Sequence, residues 1–123
     1  MPSVVQKAKD AYKLWHTFAQ NLPKTFRLTL GSKIDSLFVE ILETAFTASY
    51  ARTGEKLVLV KTIIHKTDLL KFFLQIAWEE KVLENNKYIM LSGKISETGK
   101  MLARWKKYLE EKTPPKKIGR ENK

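Results

Sequence analysis

Between Tyr88 and Leu109, seven residues recur at alternating steps of three and four: Tyr88, Leu91, Ile95, Thr98, Leu102, Trp105 and Leu109. A strand would send them to both of its faces, whereas a helix gathers all seven into one seam. A repeat of 3.5 residues is the packing surface of a left-handed helical bundle. Such a seam must be covered by other helices, and the rest of the chain supplies three of the same kind.

In the first segment Ala8, Ala11, Tyr12, Trp15, Phe18, Ala19 and Leu22 form one stripe. Asn21-Leu22-Pro23 closes it, because the residue before proline is pushed out of the α region. The second stripe is Leu30, Ile34, Leu37, Phe38, Ile41, Leu42, Ala45 and Phe46, with Gly54 read as the C-terminal stop. The third runs from about Glu55 to Lys81 through Val60, Ile63, Ile64, Thr67, Leu70, Phe73, Leu74 and Ala77. It also carries Leu59, Leu69, Phe72, Ile76 and Trp78, an arc wider than one core covers; the excess is expected to face a partner subunit. Asn85-Asn86 offers an N-cap for the last helix, and Pro114-Pro115 ends it. No strand pattern competes. The expected fold is all-α: an antiparallel up-down four-helix bundle over residues 1–112, with a basic flexible tail over 113–123. At 123 residues the chain suits a single domain, and a chain of this size buries roughly 65% of its unfolded surface.

Cysteine is absent, which excludes disulfides, thiolate metal sites and cysteine nucleophiles and fits a cytoplasmic setting. The N-terminal residues have no apolar stretch, so no secretory signal is expected. No uninterrupted apolar run exceeds the four residues 57–60, far short of the roughly 20 that a membrane helix needs. Charge is more informative. The net charge is +10. Residues 1–33 carry six basic and one acidic residue, 34–93 seven and eight, and 94–123 ten and four. If the two ends of the chain meet in the fold they make one positive surface, for which a polyanion is the default partner, nucleic acid before membrane.

Catalytic and metal-binding constellations do not emerge. A di-iron bundle needs inward Glu-x-x-His pairs, but Lys13 and Thr62 stand three residues before His16 and His65. Bundle nucleases of the HEPN type need an arginine four to six residues before a histidine, and neither histidine has one. There is no glycine-rich phosphate loop. Glu40 and Glu43 read as a solvated face. The expectation is a non-enzyme without cofactor or metal.

What the sequence does offer is cations in phase. Lys100, Arg104 and Lys107 share one helical face nearly opposite Leu102 and Trp105, with Lys106 and Lys112 beside them. Lys24, Arg27 and Lys33 surround the first turn, and Lys9 and Lys13 lie one turn apart on the first helix. The first and last helices can be neighbours in an antiparallel bundle. The candidate nucleic-acid site is therefore Lys9, Lys13, Lys24, Arg27, Lys33, Lys100, Arg104, Lys106 and Lys107, a set suited to phosphate contacts without base reading. Trp15, Tyr88 and Trp105 read as core. Phe26, off any stripe, is free to stack a base or to cover a helix end.

Two stretches carry a resemblance. One is Lys7-Ala8-x-x-Ala11-Tyr12-x-Leu14-Trp15 with Leu22-Pro23-Lys24-x-x-Arg27-x-Thr29-Leu30-Gly31-x-x-Ile34. The other is Asp68-Leu69-Leu70-x-Phe72 with Tyr88-x-x-Leu91-Ser92-x-x-Ile95-x-Glu97-x-Gly99-Lys100-Met101-Leu102-x-x-Trp105. Together they resemble the Avd proteins, accessory variability determinants of diversity-generating retroelements. These sit within a wider four-helix-bundle family that includes proteins of 23S rRNA intervening sequences. The resemblance spans about residues 5–109; Ala103-Arg104 departs from it, since Avd proteins often have Gly-Gly before the tryptophan. It implies a non-catalytic protein that forms a ring-like homopentamer and binds the retroelement reverse transcriptase. It also implies contact with template RNA during mutagenic copying. Two other readings stay open: a general RNA-binding or ribosome-associated bundle of the intervening-sequence type, and a pure protein-interaction bundle whose charge only keeps it soluble.

Overall fold

A computed structural model describes residues 2–112. The tail read over 113–123, and the helix end expected at Pro114-Pro115, lie outside the described residues. The described chain is helical with no strand: α1 (Pro2–Ala19), α2 (Lys24–Leu28), α3 (Leu30–Tyr50), α4 (Thr53–Glu79) and α5 (Asn85–Lys112). The four long helices are those expected from periodicity. The addition is α2, a five-residue turn of helix that the stripe pattern is too short to reveal. Pro23, extended at its N-cap, starts it, and the Thr29 hydroxyl bonds back to the Thr25 carbonyl at 2.9 Å where the chain turns into α3.

Packing runs in a closed circuit. α1 lies against α3 and α5, α3 against α4, and α4 against α5. The first and last helices are thus neighbours, as expected. They run antiparallel: Lys7 reaches Glu97 at 3.6 Å near one end, and Lys87 sits over the Phe18 ring near the other. Inside the circuit Trp15 is buried and stacks on Phe38 with centroids 6.1 Å apart. Its indole N–H has no partner among the described residues, a cost of about 1–3 kcal/mol that burial of the ring offsets. Thr67 and Thr98 are buried too, and their hydroxyls bond to the carbonyls of Ile63 and Lys94.

The seam of α5 buries Leu91, Ile95, Thr98, Leu102 and Leu109. Trp105 and Tyr88 pack against the core but are only partly buried, a correction to their reading as core. Trp105 shares its stripe with the fully buried Leu102 and Leu109, but an indole is large enough that part of it commonly stays at the surface while the rest packs inward. Tyr88 instead stacks on Trp78 at 5.0 Å. Asn85 does not stand outside the helix as a cap: it is the first residue of α5, and its side chain accepts a hydrogen bond from the Trp78 indole at 2.6 Å. Gly54 does not stop α3 either. The helix ends at Tyr50, Ala51 and Arg52 are extended, and Gly54 already lies in the first turn of α4. The left-handed residue is instead Lys81, with φ 61°, after α4. It lets the Val82 N–H reach back to the Ala77 carbonyl, a glycine-type cap made without glycine. Phe26 covers a helix end: its carbonyl lies 3.1 Å and its ring 3.4 Å from where a Cβ on Gly31 would stand.

Two substitutions test this account by chemical denaturation. Leu102→Ala, at a fully buried seam position, is expected to cost about 2–5 kcal/mol. Lys81→Gly is expected to raise stability by about 1 kcal/mol, since glycine carries no Cβ penalty in the left-handed region.

Candidate nucleic-acid interface

The core seam sets the phase of α5, and the phase sets its cations. With Leu102 and Leu109 inward, Lys100, Arg104 and Lys107 point outward and all three are exposed. None makes an ion pair among the described residues. Lys106 differs from its neighbours: it is partly buried and bound to Glu110 at 3.5 Å, so its charge is half spent. Lys9 and Lys13 are exposed on the outer side of α1. Lys24, Arg27 and Lys33 are exposed around α2 and the start of α3, also without ion pairs among the described residues.

These nine residues do not form one patch. Arg27 lines a shallow pocket of about 290 Å³ with Trp15, Ala19, Gly31 and Asp35, which places it at the C-terminal end of α1. That is the end where Lys87 covers Phe18. Lys100 to Lys107 lie 13 to 20 positions further along α5, roughly 20–30 Å away at 1.5 Å per residue. The two ends of the chain are basic, as composition indicates, but the fold sends the two clusters to opposite ends of the bundle.

Beside the outward cations runs a groove between α4 and α5. One part, about 320 Å³, is lined by Ile64, Asp68, Lys71, Gly99, Lys100 and Ala103 among others. The next, about 560 Å³, shares Ile64 and Ala103 and adds Lys61, Lys106, Lys107 and Glu110. Sequence reasoning passed over Lys61 and Lys71 because they belong to the neutral middle of the chain. It passed over the groove floor too, although Ser96, Gly99 and Ala103 recur at steps of three and four, a row of small residues legible without a structure.

Glu40 is not simply solvated. Lys66 on α4 donates to it at 2.9 Å, a cross-link between α3 and α4. That hydrogen bond, with the charges of Lys66 and Lys33, holds its carboxyl below the usual range against an opposing effect of burial. Burial, with Asp35 nearby, pushes the Tyr12 hydroxyl upward. His16 and His65 are exposed on different helices, and no group of three or more His, Asp or Glu among the described residues is placed to hold a metal ion. No described helix is long and apolar enough to cross a membrane.

Fold and site together define a small, basic helical bundle built for contact. The family model described as bAvd-like matches residues 3–109, and the chain belongs to that family. This bears out the resemblance and makes the protein an accessory protein of the diversity-generating retroelement type, from a non-catalytic family. Comparison with curated proteins gives no match.

The Glu40–Lys66 link predicts a pH signature. A carboxyl whose folded pKa is depressed adds stability above its unfolded pKa and loses it as pH falls through the folded value. Glu40→Gln is therefore expected to be less stable than wild type at pH 7. The two curves should converge below the ordinary carboxylate range, with denaturation midpoints at several pH values as the measurement. The effect will be modest, because the pair is partly exposed.

Proposed function

We propose that this protein assembles as a homo-oligomer, five copies as in the resemblance, and binds the reverse transcriptase and template RNA of a diversity-generating retroelement in the cytoplasm. It supports mutagenic copying without catalysing it. The observation that carries the RNA part is the outward face of α5, where Lys100, Arg104 and Lys107 stand exposed and without a carboxylate partner among the described residues. Cations held there by the core seam meet phosphates wherever they come, with no element for reading bases. The reverse-transcriptase part rests on family membership.

RNA affinity at several salt concentrations tests this reading. Changing all three residues to Gln should leave the circular dichroism spectrum intact. It should weaken binding about equally across sequences and reduce the salt slope by about 0.7–0.9 for each phosphate no longer neutralised. A folded triple variant with wild-type affinity and slope removes α5 from the site and turns the test to Lys24, Arg27 and Lys33. Retention of the reverse transcriptase in pull-downs, with RNA binding abolished, would separate the two partners' surfaces.

A further inference from the structure

Two surfaces of this bundle complement each other. One is a ridge on α3. Val39, Phe46 and Tyr50 lie on the side of that helix opposite Ile41 and Ala45, and Phe46 and Tyr50 are 60% and 79% exposed. Their rings are already packed together, with centroids 5.2 Å apart, so part of the ordering that a contact requires is in place. α3 carries Asp35 and Glu43 against the single cation Lys33, while Glu40 is already bound to Lys66 of the same subunit. The other surface is the groove between α4 and α5. Its floor is Ile64, Leu102, Gly99 and Ala103, and its rim carries Lys61, Lys71, Lys100 and Lys107 against Asp68, with Lys106 and Glu110 paired to each other. A ridge of large side chains on an acidic helix fits a small-residue groove edged with lysines, both by shape and by charge.

We propose that the α3 ridge of one copy docks in the α4–α5 groove of a second copy. This rests on the self-assembly proposed above and assigns its surfaces. The handedness of the contact follows from the circuit. α3 touches α1 and α4, whereas the groove opens between α4 and α5, so ridge and groove lie on different sides of one subunit. Two copies cannot satisfy both contacts at once. The contact is heterologous, each subunit offering its ridge forward and its groove behind, and a closed ring satisfies every copy. The long stems of Lys100 and Lys107 keep their charges at the rim, and Arg104 is not among the groove residues. Arg104 thus remains available to RNA after assembly.

Two variants of the full chain test the pairing by light scattering, with circular dichroism as the folding control. Phe46→Ala with Tyr50→Ala removes the ridge from exposed positions. Gly99→Leu fills the groove; a Cβ there meets nothing closer than the Lys71 Nζ, at 3.8 Å. Each variant alone is expected to fall to monomers at concentrations where wild type is oligomeric. Mixed together, they are expected to form a 1:1 heterodimer and nothing larger, because one intact ridge and one intact groove remain. If either folded variant keeps the wild-type size, or the mixture stays monomeric, this pairing is overturned while self-assembly stands. Wild type that is monomeric at micromolar concentration overturns self-assembly itself. A Gly99→Leu variant that stays oligomeric but no longer binds RNA overturns the pairing and makes the groove a nucleic-acid site.

Discussion

The seam of α5 is the constraint on which the rest depends. Burying Leu91, Ile95, Leu102 and Leu109 along one line fixes how α5 is rotated, and rotation leaves no freedom about where its charges go. Lys100, Arg104 and Lys107 are exposed because leucines a few residues away are not. In a helix the core and the surface are the same decision seen from two sides. A substitution that shifted the seam would therefore relocate the basic face as well as weaken the fold.

Length matters alongside phase. α5 has 28 residues and α1 only 18, so α5 overruns its neighbour. The overhang carries Arg104, Lys106, Lys107 and Lys112. That end carries three cations without a carboxylate partner among the described residues, Arg104, Lys107 and Lys112, as the α2 end does with Lys24, Arg27 and Lys33. That combination suits contact with a second molecule.

Much of this was legible in the sequence, because the relevant signals are local or periodic. The four long helices, the buried Trp15 and Thr67, the neighbouring of the first and last helices, and the outward phase of Lys100 all follow from spacing. What spacing could not give depends on three-dimensional level. The stripe marks Trp105 as core because periodicity knows the face of a helix but not how much of a large ring its neighbours enclose. Composition joins Lys24 to Lys107 because it counts charge along the chain and not along the bundle axis. Gly54 read as a stop because glycine often is one, yet Ala51 and Arg52 made the turn and Lys81 took the left-handed position. The α4–α5 groove was missed for another reason: it belongs to two helices together, and no single stripe contains it.

The division of charge between the two ends has an electrostatic consequence. At physiological ionic strength the screening length is about 8 Å, and at 1.5 Å per residue the clusters stand roughly 20–30 Å apart. Each therefore sits beyond the other's reach. The two clusters add little to one another's self-repulsion. For the same reason, an anion captured at one pole neither recruits nor repels an anion at the other. The two clusters are independent cationic poles, at a spacing set by helix length.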